Sequence, residues 1–153
     1  MSFREMSQTR KRAWMAAVVW MVAGTGFSLT FFAGGGPGAF PVESRRHLAG
    51  AVALAFGFLG YWLALWITRR RRGDPPLSDE RDMQVVARAN QATLVVVLVG
   101  IFVFTIALWT AHESTGTVPV GWMWFLAYGE VILASVTSAV ATLLLDGRMG
   151  GYE

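Results

Sequence analysis

Four uninterrupted apolar stretches alternate with short polar segments along the chain. They cover residues 13–34, 48–68, 92–111 and 121–145, with lengths of 22, 21, 20 and 25 residues. A hydrocarbon core about 30 Å thick requires about 20 residues of helix at 1.5 Å per residue, so each stretch is long enough to cross a membrane. The pattern predicts an all-α, polytopic membrane protein with four transmembrane helices, built as a single four-helix bundle over residues 1–153.

The composition supports a protein whose surface contacts lipid. Hydrophobic residues make up 54% of the chain and charged residues 15%, whereas a soluble domain carries about 25% charged residues. Glu130 is the single acidic or basic side chain among the 88 residues of the four stretches. So few charges would not cover a water-exposed surface of this size, and lipid is therefore the predicted solvent.

The residue types in the sequence exclude several kinds of chemistry. The chain contains no cysteine and two histidines, which removes disulfides, thiolate nucleophiles and iron–sulfur ligation and leaves few metal ligands. Motifs of phosphate-binding loops, serine hydrolases, metalloproteases and kinases are absent from the sequence. The net charge of +3 does not indicate nucleic-acid binding, because the arginines flank the apolar stretches. We predict a non-enzymatic protein with no cofactor of its own, in contact with lipid or pigment.

Basic residues are concentrated on one side of the predicted membrane domain. Eleven of the 13 lysines and arginines fall on the side of the termini and of the connection 69–91, and Arg45 and Arg46 fall on the other side. Basic residues are retained on the cytoplasmic side of membranes. We predict that both termini are cytoplasmic and that the chain is a multi-pass protein of the bacterial inner membrane. The eleven residues are Arg4, Arg10, Lys11, Arg12, Arg69, Arg70, Arg71, Arg72, Arg81, Arg88 and Arg148.

The segments between the spans differ in what they predict. In the connection 69–91, a proline pair ends any preceding helix, and Ser78 or Asp79 is suited to cap a new helix with acidic residues in its first turn. We expect this helix to continue unbroken into the third span. The loop 35–47 contains three glycines and two prolines, and no regular structure is predicted for it.

Small residues at helical spacing predict where helices pack closely. Lipid provides no hydrophobic driving force between helices, so close backbone approach at glycine, alanine and serine favours association. The second stretch carries Ala49, Ala53 and Gly57 at every fourth position, and the first carries Gly24 and Ser28. We interpret both sets as helix-packing surfaces.

Glu130 is predicted to lie near the middle of the membrane. It follows Gly121 by nine residues, about 14 Å of helix, and Thr25 of the first stretch lies at a comparable depth. A charged carboxylate is costly in hydrocarbon, so Glu130 is expected to be protonated or fully hydrogen-bonded, with Thr25 as a candidate neighbour. Two interpretations remain open. Glu130 is either a proton-accepting or partner-binding site, or a neutral acid that joins two helices.

Two further sets of side chains are candidates for binding. His47 and His112 both lie at span ends on the non-cytoplasmic side, where they either hold a haem or metal ion or are solvated without such a role. An arginine block after the second span is suited to anionic lipid headgroups, besides anchoring the topology. This block consists of Arg69, Arg70, Arg71 and Arg72.

A short motif precedes the third span. Ser78-Asp79-Glu80-Arg81 is followed by Ala87, Ala89 and Thr93 as the apolar stretch begins. This run resembles a signature of a family of small uncharacterised bacterial membrane proteins, whose members show Asp-Glu-Arg, an apolar position, a basic residue with alanine, and a threonine. In this chain Arg88-Ala89 is displaced from the usual lysine-alanine position. The resemblance implies a four-span architecture and no particular activity.

Three functions are consistent with the sequence. We favour an accessory subunit of a larger membrane assembly, of respiratory or photosynthetic type, because nearly the whole chain is predicted to be helix and short loops. A second is a signalling or protective protein that docks a cytoplasmic partner through residues 69–90, with Asp79, Glu80 and Arg81 either at the docking surface or acting as a helix cap. A third is a small proton-coupled carrier that uses Glu130. The predicted partners are other membrane protein subunits and anionic lipids.

Overall fold

The structure, a computed structural model, describes residues 7–69 and 80–149. Within these ranges the chain forms five helices and no strand: α1 (Gln8–Phe32), α2 (Gly36–Ala39), α3 (Ser44–Ile67), α4 (Glu80–His112) and α5 (Gly121–Met149). By length and composition, α1, α3, α4 and α5 are able to cross a membrane. This confirms the prediction of an all-α protein with four spans.

The helix ends extend beyond the apolar stretches where polar residues continue the helix. α1 begins at Gln8, five residues before the predicted span, because the Ser7 side chain accepts a hydrogen bond from the Arg10 backbone N–H at 3.2 Å and caps the helix. α4 runs for 33 residues without a break, with Glu80 and Asp82 in its first turn. The connecting helix and the third span are therefore one helix, as predicted.

The loop 35–47 contains regular structure that its composition did not predict. Gly35 and Gly36 have φ angles of 108° and 65°, a region that favours glycine, and they turn the chain sharply after α1. Pro37 then occupies the first turn of the short helix α2. Phe40, which follows α2, is fully buried. Its burial explains why the segment is ordered, because the ring fixes the loop against α1 and α5.

The four long helices form a row in the order α3, α1, α5, α4. α1 packs between α3 and α5, and α4 packs along the far side of α5. The burial of side chains explains this order, since α1 buries residues along its whole length, including Ala13, Ala23 and Phe31. On α4 the described buried side chains are Val85 and Ala89, both within its first three turns. The membrane-spanning part of α4 thus has α5 as its main neighbour.

Hydrogen bonds between helix ends show that the chain alternates in direction. Arg12 near the start of α1 donates from Nε to the Thr68 Oγ1 after α3, at 2.9 Å. Thr9 donates to Asp82 in the first turn of α4 at 3.2 Å. Asp146 near the end of α5 also contacts α1. We call the end of the protein that carries these contacts the basic end. The opposite end, which carries α2, is called the α2 end.

Two clusters of buried side chains form the core. Near the middle of α1, Trp20 packs among alanines of α1 and Ala139 of α5. Toward the α2 end, Phe27, Phe31 and Phe40 form a second cluster, which α5 covers with further aromatic rings. The core is therefore built mainly on α1 and α5, and α3 adds small residues to it.

Candidate functional site

A groove opens between α1 and α4, with α5 as its floor. It is lined by residues of the segments 20–33, 100–104 and 125–136 and has a volume of about 940 Å³. The groove exists because α4 packs along α5 without closing against α1. Its volume falls within the range of about 300–1,000 Å³ that is typical of small-molecule sites.

The structure places Glu130 and Thr25, the predicted intramembrane polar residues, in this same groove. Ser28, predicted as a packing residue one turn further along α1, lines it as well. Within the part of the chain that is described, none of these three side chains makes a hydrogen bond or ion pair. In hydrocarbon an unpaired polar group is costly, so the groove presents an acid and two hydroxyls that are available to a bound group.

Glycines set the width of the groove around Glu130. A Cβ atom on Gly24 would lie 2.8 Å from Ile132 Cγ2, so α1 and α5 approach closely at this level. A Cβ atom on Gly129, beside Glu130, would meet no atom within 4 Å. The space next to the acid is therefore open, although the neighbouring helix contact is tight.

Three phenylalanine rings from three helices border the groove toward the α2 end. Phe32 of α1 and Phe104 of α4 both contact Phe125 of α5, with ring centroids 5.4 and 5.6 Å apart. Phe125 precedes Glu130 by five residues, about 8 Å along the helix. The groove thus combines one acid, Glu130, with a wall of aromatic rings toward the α2 end.

A second polar cluster lies at the basic end. Arg10 of α1 is 3.8 Å from the Asp146 carboxylate, and Arg81 of α4 donates to the Asp146 backbone carbonyl at 3.3 Å. Both guanidiniums therefore meet the C-terminal end of α5, where the helix dipole favours positive charge. Because the cluster links α1, α4 and α5, it fixes the spacing of these helices beneath the groove.

The sequence of the chain matches the model of one protein family. Residues 9–145 match the family described as predicted membrane protein (DUF2178). The chain belongs to this family. The match covers all four spans and the connection between α3 and α4, which confirms the resemblance to a small uncharacterised membrane protein family. No curated protein and no solved structure matches the chain significantly.

In this DUF2178 protein, the predicted docking and headgroup residues lie at the basic end. Arg81 is half-buried, and its contact with Asp146 ties α4 to α5. Glu80 is exposed in the first turn of α4. Arg69 is exposed just after α3. The remaining predicted residues, Asp79, Arg70, Arg71 and Arg72, lie outside the described residues.

The two histidines of this DUF2178 protein occupy separate surroundings. His47 packs between the rings of Phe40 and Trp124, with centroids 4.9 and 5.1 Å away. The His112 Nδ1 lies 3.0 Å from the Leu108 carbonyl oxygen of its own helix. Among the residues that the structure describes, no group of three metal-ligating side chains occurs. The described neighbours of His47 and His112 are thus different, and the structure gives no contact between the two side chains.

The small residues predicted for packing line several contacts. A Cβ atom on Gly57 of α3 would lie 2.6 Å from the Trp20 ring of α1, and Ala53 packs against the aromatic cluster. Gly24 meets α5, as described above. Ala49 is half-buried on α3. The α1–α3 contact therefore depends on the absence of a side chain at Gly57.

Sequence reasoning missed the Asp146 cluster and the aromatic wall. Asp146 follows the last apolar stretch directly and was not considered as a site residue, although an acid beside so many arginines is a signal of ion pairing. Phe104 and Phe125 lie within apolar stretches, where a phenylalanine gives no signal of a particular role. Only the three-dimensional order of the helices brings these rings together.

Proposed function

We propose that this protein is a non-enzymatic accessory subunit that packs beside other integral proteins in the bacterial inner membrane, such as those of a respiratory or photosynthetic assembly. The observation that carries this proposal is the position of α4 at the edge of the row. No residue in its most apolar 18-residue stretch is buried. A span held mainly by one neighbour leaves a long face available to another protein.

The face of α4 that points away from α5 has the spacing of a helix-pairing seam. Residues 95, 99, 102, 106 and 109 follow one another at intervals of four and three, the heptad pattern of paired helices. Their exposed fractions range from 48% to 70%. They are Val95, Val99, Phe102, Ile106 and Trp109. We call this set the α4 seam and infer that it packs against a transmembrane helix of a partner subunit.

Crosslinking from the α4 seam tests the subunit proposal. The natural chain has no cysteine, so a single Ile106→Cys or Phe102→Cys variant carries one attachment point for a photoreactive maleimide. In native membranes we expect ultraviolet light to join the seam variants to one protein of defined mass, identified by mass spectrometry.

The matched control for this experiment is Leu59→Cys on α3, whose side chain is also exposed. We expect no defined adduct from it. A seam variant that yields only lipid adducts, or the same mixture as Leu59→Cys, contradicts the proposal. An adduct with a second copy of the chain would indicate a homo-oligomer and would also contradict it.

The basic end is proposed to face the cytoplasm, where its arginines also attract anionic lipids by about 1 kcal/mol each. In spheroplasts, a membrane-impermeant maleimide is expected to label Ser114→Cys in the exposed loop 113–120 and to leave Ser7→Cys unlabelled. Both positions are exposed, so both should react once the membrane is permeabilised. Labelling of Ser7→Cys alone in spheroplasts would reverse the assigned orientation.

A further inference from the structure

The groove between α1, α4 and α5 has features that the subunit role does not require. It holds an acid near mid-membrane, and the structure gives Thr25 and Ser28 no side-chain hydrogen bond among the described residues. A Cβ atom at Gly129 would meet nothing within 4 Å, so the space beside Glu130 accepts additional atoms. A contact surface for a neighbouring helix would not need an acid in an open recess.

The chemistry of the lining favours one class of ligand. Glu130 is the one titratable side chain among the described residues that line the groove. The wall of Phe32, Phe104 and Phe125 presents ring faces and edges about 8 Å toward the α2 end. Aromatic rings and a carboxylate both attract a cation that has lost its water shell. A hydrophobic anion would find no positive group here.

We propose that the groove binds a lipophilic organic cation, with the charge beside Glu130 and apolar substituents against the three phenylalanine rings. The volume of about 940 Å³ accommodates a ligand of drug-like size. The proposal is independent of the subunit role, because the α4 seam points away from the groove. The ligand reaches the groove laterally, from the lipid between α1 and α4.

Glu130 is the one acidic side chain in the described lining of the groove, so it is the counter-ion of the bound cation. Pairing of the two charges in the groove avoids the cost of a lone charge in hydrocarbon.

Other titratable groups lie too far away, or on other faces, to replace Glu130 as the counter-ion. On α5, Asp146 lies 16 residues further on, about 24 Å along the helix, where it contacts Arg10. Asp82 lies at the same basic end and accepts a hydrogen bond from Thr9. Tyr128 is not among the lining residues and packs against the rings of Phe27 and Trp124. At the α2 end, His47 contacts Phe40 and Trp124. α4 contributes no titratable side chain to the lining.

The test uses the full chain in lipid nanodiscs with tetraphenylphosphonium as the probe. Equilibrium dialysis is expected to show saturable binding of one cation per chain. Tetraphenylborate, an anion of the same shape, should show no saturable binding. Glu130→Gln is expected to weaken tetraphenylphosphonium binding at least tenfold.

A matched pair of glycine variants guards against misfolding of the Glu130 variant. Gly129→Leu fills the open space beside the acid and is expected to weaken binding at least tenfold. Gly147→Leu introduces the same side chain on α5, also where a Cβ atom meets nothing within 4 Å, but away from the groove, and should bind as the natural chain does. Equal binding in Glu130→Gln, equal binding in Gly129→Leu, or no saturable binding in the natural chain would each overturn the proposal.

Discussion

Phe31→Ala is expected to lower the free energy of unfolding by about 3 kcal/mol. Phe31 is fully buried, and its ring centroid lies 5.1 Å from that of Phe40 and 4.9 Å from that of Phe125. It therefore joins α1, the segment after α2, and α5 at a single point. Removal of the ring leaves a cavity between these three elements, beside Phe27, which contacts the same two rings.

The membrane environment determines how much unfolding free energy is lost in Phe31→Ala. Phe→Ala substitutions in buried cores cost about 3–5 kcal/mol, a sum of a transfer term and a cavity term. In a bilayer the separated helices still hold Phe31 in an apolar medium, so the transfer term shrinks and the lost ring contacts dominate. The expected value is therefore at the lower end of that range.

Unfolding by sodium dodecyl sulfate in mixed micelles, followed by tryptophan fluorescence and circular dichroism, measures this loss. Phe102→Ala is the matched control, because the Phe102 ring on α4 is 66% exposed and its removal creates no cavity within one chain. We expect its midpoint to stay close to that of the natural protein. Equal shifts for the two variants would show that the aromatic cluster does not hold the fold together.

Segment length and hydropathy were sufficient to locate the four spans, because a helix must satisfy its backbone within the membrane. The helix ends were less predictable. α1 starts at Gln8 because polar residues such as Thr9 and Arg12 continue the helix and bond to other helices at the basic end. The α2 segment was missed because its order depends on the burial of Phe40, which a loop composition does not reveal.

For the site residues, a shared level along the helices was predicted by counting, whereas the direction in which each helix faces was not predictable. Counting residues from the span ends placed Glu130 and Thr25 at one level, and both line the same groove. The groove itself follows from the order α3, α1, α5, α4. In lipid every span is apolar on most of its surface, so the hydrophobic pattern does not identify the face that packs. The Arg10–Asp146 contact depends on that order in the same way.

Gly57→Ala is expected to destabilise the protein by about 1–3 kcal/mol, the usual cost of an additional group in a packed contact. The new Cβ atom would lie 2.6 Å from Cζ3 and 2.8 Å from Cε3 of Trp20. This ring cannot move away easily, since it is 3% exposed and contacts the edge of Phe58 at 5.0 Å between centroids. The clash must therefore be relieved by separation of α1 and α3.

Gly129→Ala separates this steric effect from the general effect of alanine in a helix. Alanine favours a helix over glycine by about 1 kcal/mol, and at Gly129 the added Cβ atom meets nothing within 4 Å, so this variant should be neutral or more stable. The detergent midpoints of the two variants are thus expected to move in opposite directions or to differ clearly. If Gly57→Ala matched Gly129→Ala, the close approach of α3 to Trp20 would not contribute to stability. The α1–α3 contact would then depend on other residues, such as Gly60, whose Cβ atom would lie 2.8 Å from Val19.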